Sequence, residues 1–166
     1  MKSGTEVTLR PIRPEDEPLM VKFHQALSDR SVYMRYFYSL SLSSRVAHDR
    51  LVRICFVDYD REMAIVADHR DIKTGQHRIL GVGRLVKSHA RNEGEVAVLV
   101  SDSCQNQGLG MELFRRVIQV ARDEKLSRIY AEILPDNFAM KKIAKKLGFR
   151  SRMGEDPTST RAALDF

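Results

Sequence analysis

The sequence predicts an α+β fold, a sheet with helices on both faces. Three observations carry this. A helical N-terminal part follows a single opening strand. Three strand-like segments then succeed one another through short connections. The chain closes as helix, strand, helix and a final hairpin.

Residues 7–12 (VTLRPI) alternate and read as the opening strand. Pro14, Glu15, Asp16 and Glu17 start a helix, with proline at its entry and acids in its first turn. Pro18 is tolerated there because first-turn N–H groups have no intrahelical acceptor. Leu19, Met20, Phe23 and Leu27 give that helix one apolar side. Residues 31–38, dense in Tyr and Phe, predict a second helix, and residues 43–53 a third. Strands are expected over 63–67, 78–86 and 95–100, the first two separated by the turn residues Lys73, Thr74 and Gly75. Their short connections make them antiparallel neighbours. Leu109, Leu113, Val117 and Ala121 recur at helical spacing after a glycine-bearing loop. A strand over 128–134 ends at Pro135, and a helix over 137–147 buries Met140, Ile143, Ala144 and Leu147, with Gly148 as its C-cap. Two strands, from Phe149 onward and over 160–166, close the chain around a polar loop.

With 166 residues, one domain over 1–166 is expected. The opening MKSGTEVTLR has no apolar secretory core, and no apolar run is long enough to span a bilayer. Cys55 and Cys104 form no CxxC or Cys/His cluster, and the five histidines, His24, His48, His69, His77 and His89, show no metal-ligand spacing. A cytoplasmic protein without a metal site is expected, in a reducing setting. The net charge of +6 fits nucleic acid, an anionic membrane or a polyanionic small molecule. No helix-turn-helix, zinc-finger or aromatic RNA-binding pattern accompanies it, so a phosphate-rich cofactor is expected rather than nucleic acid or membrane.

The chemistry is carried by Ser101-Asp102-Ser103-Cys104-Gln105-Asn106-Gln107-Gly108-Leu109-Gly110, between an apolar strand and a helix. Two glycines let the backbone approach a ligand, and the helix start offers unpaired N–H groups and a positive dipole end. Such a junction can seat a pyrophosphate. The spacing is neither GxxxxGK[ST] nor GxGxxG. The bland alternative is an ordinary strand-to-helix turn.

The pattern Gln-x-x-Gly-x-Gly resembles the acetyl-CoA loop of the GNAT superfamily of N-acetyltransferases. A second string, Asn137-Phe138-Ala139-Met140-Lys141-Lys142-Ile143-Ala144-Lys145-Lys146-Leu147-Gly148-Phe149, resembles that family's other signature. The likeness implies a GNAT-like mixed, mostly antiparallel sheet and acetyl-CoA as co-substrate. It also implies cofactor contacts from Gln105, Asn106, Gln107, Gly108, Leu109 and Gly110, from the main chain of Leu99 and Val100, and from Asn137, which can equally be a helix N-cap. Residues 10–16, 31–37 and 58–63 resemble, more narrowly, the GNAT domain of bacterial protein lysine acetyltransferases. That branch is often fused to an acyl-CoA-synthetase-like region, which these 166 residues do not contain. It implies a protein acceptor and Glu95 as general base, with Glu93 a competing carboxylate.

Many relatives carry a tyrosine as general acid where this chain has Ala144. Either Tyr33, Tyr36 or Tyr38 replaces it, although aromatic residues at helical spacing are more often core, or the thiolate leaves without a dedicated acid. Lys141, Lys142, Lys145 and Lys146 read as a solvated face that could reach the cofactor's 3′-phosphate. Asp58, Asp60 and Glu62 read either as a solvated loop or as an acidic cluster attracting an acceptor's ammonium. A small-molecule amine acceptor and a non-catalytic acetyl-CoA sensor are the competing functions.

Overall fold

The computed structural model describes residues 1–88, 90–153 and 158–166. His89 and most of the polar loop expected between the last two strands lie outside them. Strand β1 (Thr8–Pro11) is followed by a 3-10 turn (Pro14–Asp16) and helix α1 (Glu17–Gln25). Asp16 fixes this start: its carboxylate accepts the Arg13 N–H at 2.8 Å and two guanidinium N–H groups of Arg10 at 2.7 and 2.8 Å. Burial pushes the Asp16 carboxyl up, but Arg10 wins and holds it below the usual carboxylate range.

Helix α2 (Asp29–Tyr36) begins at Ser28, whose hydroxyl accepts the Ser31 N–H at 3.2 Å, and stops where Phe37 turns to φ 67°. The helix expected over 43–53 is two: α3 (Leu42–Arg45) and α4 (His48–Cys55). The break follows from Arg45. Its side chain is buried and donates to the Leu27 carbonyl at 3.2 Å and Asp29 at 3.1 Å, while Arg50 takes its carbonyl at 3.0 Å. Those bonds hold the chain where a continuous helix would have carried it outward.

Strands β2 (Glu62–Arg70), β3 (His77–Ser88) and β4 (Glu93–Val100) form the expected antiparallel meander, each longer than its apolar pattern alone suggests. Helix α5 (Leu109–Asp123) crosses over to β5 (Arg128–Ile133), which pairs parallel to β4. Helix α6 (Phe138–Lys146) and the hairpin β6 (Arg150–Met153) and β7 (Thr160–Asp165) follow. The end of α6 is closed by the Phe149 N–H on the Ala144 carbonyl at 3.0 Å and the Gly148 N–H on Lys145 at 3.2 Å, a complete Schellman motif. Among the described residues the strands form one sheet in the order β1-β2-β3-β4-β5-β7-β6.

The sheet carries a core on each face. Leu113, Phe114, Val117 and Ala121 of α5 pack against Leu85, Val96 and Ile129 on one side. Met20 and Phe23 of α1 join Leu51, Val66 and Leu99 on the other. A Cβ at Gly81 would lie 2.8 Å from Leu113, so the glycine lets α5 settle onto β3. Each fully buried side chain of this size contributes about 1.5–3 kcal/mol.

Candidate active site

Strands β4 and β5 pair only over Glu93, Gly94 and Glu95 with Arg128, Ile129 and Tyr130. Beyond Glu95 they part, and a cleft of about 1120 Å³ opens between β4, β5, α2 and the starts of α5 and α6. The N–H of Ser101 donates to the Leu80 carbonyl on β3 at 2.9 Å. Strand alternation then turns the main-chain groups of Leu99 and Ala97 to β3, and those of Val98 and Val100 to the cleft. Two contacts agree: the Leu99 oxygen lies 3.2 Å from where a Gly81 Cβ would be, and the Val100 oxygen accepts from Gln105 Nε2 at 3.2 Å. Of the two expected main-chain donors, Val100 therefore faces the cleft, whereas the polar groups of Leu99 serve the β3 ladder. Val98, not singled out from the sequence, also turns its main-chain groups to the cleft.

At the cleft's upper end the loop runs through a short 3-10 turn (Asp102–Cys104) into α5. Gly108 is the N-cap of α5 at φ 90°, a conformation that side chains rarely adopt, with open space where a Cβ would point. Gln105, Asn106, Gly108 and Gly110 line the cleft. Leu109 is buried in the core, so only its main chain can serve a ligand. Gln107 is turned inward, with Nε2 on the Ser103 carbonyl at 3.1 Å and its own carbonyl accepting the Lys2 N–H at 3.1 Å. Lys2, Arg115, Lys142 and Lys146 line the same cleft and give it a cationic wall. Asn137 also lines it, and its Oδ1 caps α6 by accepting the Met140 N–H at 3.1 Å. Cys104 is buried beneath the loop, and burial pushes the distant Cys55 thiol up to about 11.

At the lower end stands Glu95, exposed, lining the cleft and free of any hydrogen bond or ion pair among the described residues. Glu93 lies outside the lining, 3.6 Å from Arg91. Helix α2 forms one wall of the cleft. Its start is tied to the loop, since Asp102 accepts from the Ser28 N–H (2.9 Å), Ser28 Oγ (2.6 Å) and Ser31 Oγ (2.8 Å), and Gln105 donates to Ser31 Oγ at 3.0 Å. Burial raises the Asp102 carboxyl, but these bonds from Ser28 and Ser31 prevail and hold it low. One turn on, Arg35 lines the same cleft as Glu95 and feels its charge.

Ala144 is buried in the core, and of the three tyrosines only Tyr36 lines the cleft. The acidic cluster is occupied: Glu62 takes Arg84 at 2.6 and 2.9 Å, and Asp58 accepts the Asp60 N–H at 3.1 Å and lies 3.7 Å from Arg61. Among the described residues no group of His, Cys, Asp and Glu could hold a metal, and no helix is long and apolar enough to cross a membrane. Arg35 and Lys2 escaped the sequence reading. Arg35 lies in the 31–37 string but carried no role of its own there, Lys2 belongs to no recurring pattern, and both face the cleft only because distant segments meet at it.

A sheet that parts beside an exposed strand backbone, with a glycine turn heading the next helix, is a site for a thioester of coenzyme A. The family model described as acetyltransferase (GNAT) domain matches residues 6–150, and the chain belongs to this family of acetyltransferases. It is accordingly an N-acetyltransferase with acetyl-CoA as acyl donor. The chain is 30% identical over 160 residues to an acetyltransferase of Pseudomonas aeruginosa, covering 96% of this chain and 83% of that one. It is 28% identical to the acetyltransferase Pat of Mycolicibacterium smegmatis, covering 89% of this chain but spanning only 42% of that protein. Among solved structures, the GNAT domain of S. lividans PAT superposes with a TM-score of 0.85 at 26% identity, covering 99% of this chain and 93% of that one. The PaiA N-acetyltransferase of Thermoplasma acidophilum, in complex with coenzyme A, shares the fold at a TM-score of 0.75 and 11% identity, covering 97% and 99%.

Proposed function

We propose that the chain, acting as one domain in the reducing cytoplasm, transfers the acetyl group of acetyl-CoA to the side-chain amine of a lysine on a protein. The observation that carries the reading is the unpaired Glu95 carboxylate where β4 and β5 part, at the end of the cleft away from the glycine loop. The similarity to the GNAT domain of S. lividans PAT over nearly the whole chain supports the choice of acceptor, as do the 10–16, 31–37 and 58–63 strings. Two free, buried cysteines suit a reducing compartment.

The pyrophosphate rests on the N–H groups at the head of α5, beside Gly108 and Gly110, and on the side chains of Gln105 and Asn106. The pantetheine arm pairs with the main chain of Val98 and Val100, displacing Gln105 from the Val100 carbonyl, and passes Asn137. A cleft-facing N–H of β4 polarises the thioester carbonyl. Glu95 removes a proton from the ammonium, directly or through a water. The free amine attacks the carbonyl carbon, the C–N bond forms, the C–S bond breaks, and the nitrogen's surplus proton passes through solvent to the departing thiolate. With Ala144 in place of a tyrosine, the thiolate departs without a dedicated acid; a thiol of ordinary pKa, about 8.5, is a good enough leaving group.

Glu95→Gln keeps the size and removes the base. Turnover is expected to fall about a hundredfold, with acetyl-CoA affinity retained. The acceptor is tested by incubating enzyme and acetyl-CoA with a protein extract and, separately, with polyamines, aminoglycosides and amino acids. Lysine acetylation of a few proteins, lost in Glu95→Gln, is the expected result. Fast turnover of one small amine without enzyme-dependent protein acetylation would replace this acceptor by a small molecule.

A further inference from the structure

Arg35 is a half-buried guanidinium in the wall of the cleft that makes no hydrogen bond or ion pair among the described residues. No carboxylate among the described residues pairs with it directly. Arg84 is already paired with Glu62, and Arg50 adds a second guanidinium 5.0 Å from the Tyr36 ring, which Arg35 also approaches at 5.0 Å. Burial draws the Arg35 basicity down; Tyr36 and Glu95 oppose this. A partly desolvated cation held in no ion pair among the described residues is costly, and the planar guanidinium fork matches a carboxylate.

We infer that Arg35 selects acceptors carrying a carboxylate beside the reacting amine. Arg35 stands one helical turn beyond the Ser31 contact with the glycine loop and feels the charge of Glu95, which sets it towards the end of the cleft where the amine reacts rather than in the loop that seats the donor's phosphates. Glu95 itself penalises a dianion more than a monoanion, which favours a carboxylate over a phosphate. On a protein, this is an acidic residue next to the lysine. On a free amine, it is the compound's own carboxylate. The inference rests on acetyl transfer through this cleft and holds for either kind of acceptor.

The test uses two probe pairs with the parent protein, Arg35→Gln and Arg35→Lys. One pair is lysine peptides differing only by Glu or Gln beside the lysine. The other is free lysine and lysinamide. The parent should prefer the carboxylate member of at least one pair by about tenfold in kcat/KM, expressed in KM, the scale of one charge-assisted contact. Arg35→Gln should erase that preference and Arg35→Lys restore part of it, with the calorimetric affinity for acetyl-CoA unchanged. No preference in either pair overturns the inference. So does an equal fall in kcat on both members, which would make Arg35 an electrostatic partner of Glu95. A preference for succinyl-CoA over acetyl-CoA that Arg35→Gln removes would place the carboxylate on the donor, and would overturn it too. If peptides are not acetylated, the protein-lysine reading fails, while the lysine pair still decides this one.

Discussion

His24 is buried in α1 with both ring nitrogens lacking a hydrogen-bond partner among the described residues, edge-on to Phe23 with ring centroids 5.6 Å apart. Burial, with the charges of Arg50 and Arg45 behind it, pushes its pKa from 6.5 down to about 4. The unfolded chain therefore binds a proton that the folded chain refuses. The stability is fully present above pH 6.5 and is lost as pH falls towards 4. At 1.36 kcal/mol per pKa unit this is about 3 kcal/mol. Urea denaturation of the parent and His24→Leu at both pH values should show the parent losing about that much more. Equal losses would mean that the imidazole is solvated in the fold. Residue identity alone showed little of this: a histidine on an apolar helix face reads the same with or without partners. Glu95 was legible as the carboxylate at the strand's lower end, and its isolation was not, because Arg91 and Arg84 choose Glu93 and Glu62 only in three dimensions.

The long elements were readable, since α5 buries one continuous face and β2 to β4 carry apolar runs that feed the cores on both faces of the sheet. The α3–α4 break was not, because it depends on what the Arg45 guanidinium reaches across the chain. The glycine loop was legible as a motif, but its physical reason differs in part from close approach. Gly108 has open space around it and is required by its φ of 90°, and a Cβ on Gly110 would meet Ile143 and Val100 only at 3.5 and 3.6 Å. Two substitutions at Gly108 therefore separate two effects. Gly108→Ala adds left-handed strain of about 1–2 kcal/mol without filling the seat. Gly108→Glu adds the same strain plus a negative charge facing the pyrophosphate. Calorimetry should find acetyl-CoA binding weakened modestly in the first and abolished in the second, with both proteins folded by circular dichroism. Unchanged affinity in Gly108→Glu would remove the loop from the binding site.

At the scale of the molecule, the sheet is two halves joined at Glu93, Gly94 and Glu95, with β1 to β4 on one side and β5 to β7 on the other. Acetyl-CoA bound between them would act as the missing rung. The family resemblance implies this on β4 at Leu99 and Val100; with the alternation fixed by Ser101 on Leu80, the main-chain groups that face the gap are those of Val98 and Val100. Residue-resolved hydrogen exchange distinguishes the two. In the free protein the amides of Ala97 and Leu99 should be protected by β3, and those of Val98 and Val100 should exchange as open-edge groups. With acetyl-CoA at a hundred times its Kd, the ligand adds about 2.7 kcal/mol to the bound form. Protection at Val98 and Val100 should then rise about a hundredfold, together with a higher unfolding temperature. A rise confined to global unfolding, with Val98 and Val100 already protected in the free protein, would mean that the halves close on each other without the ligand.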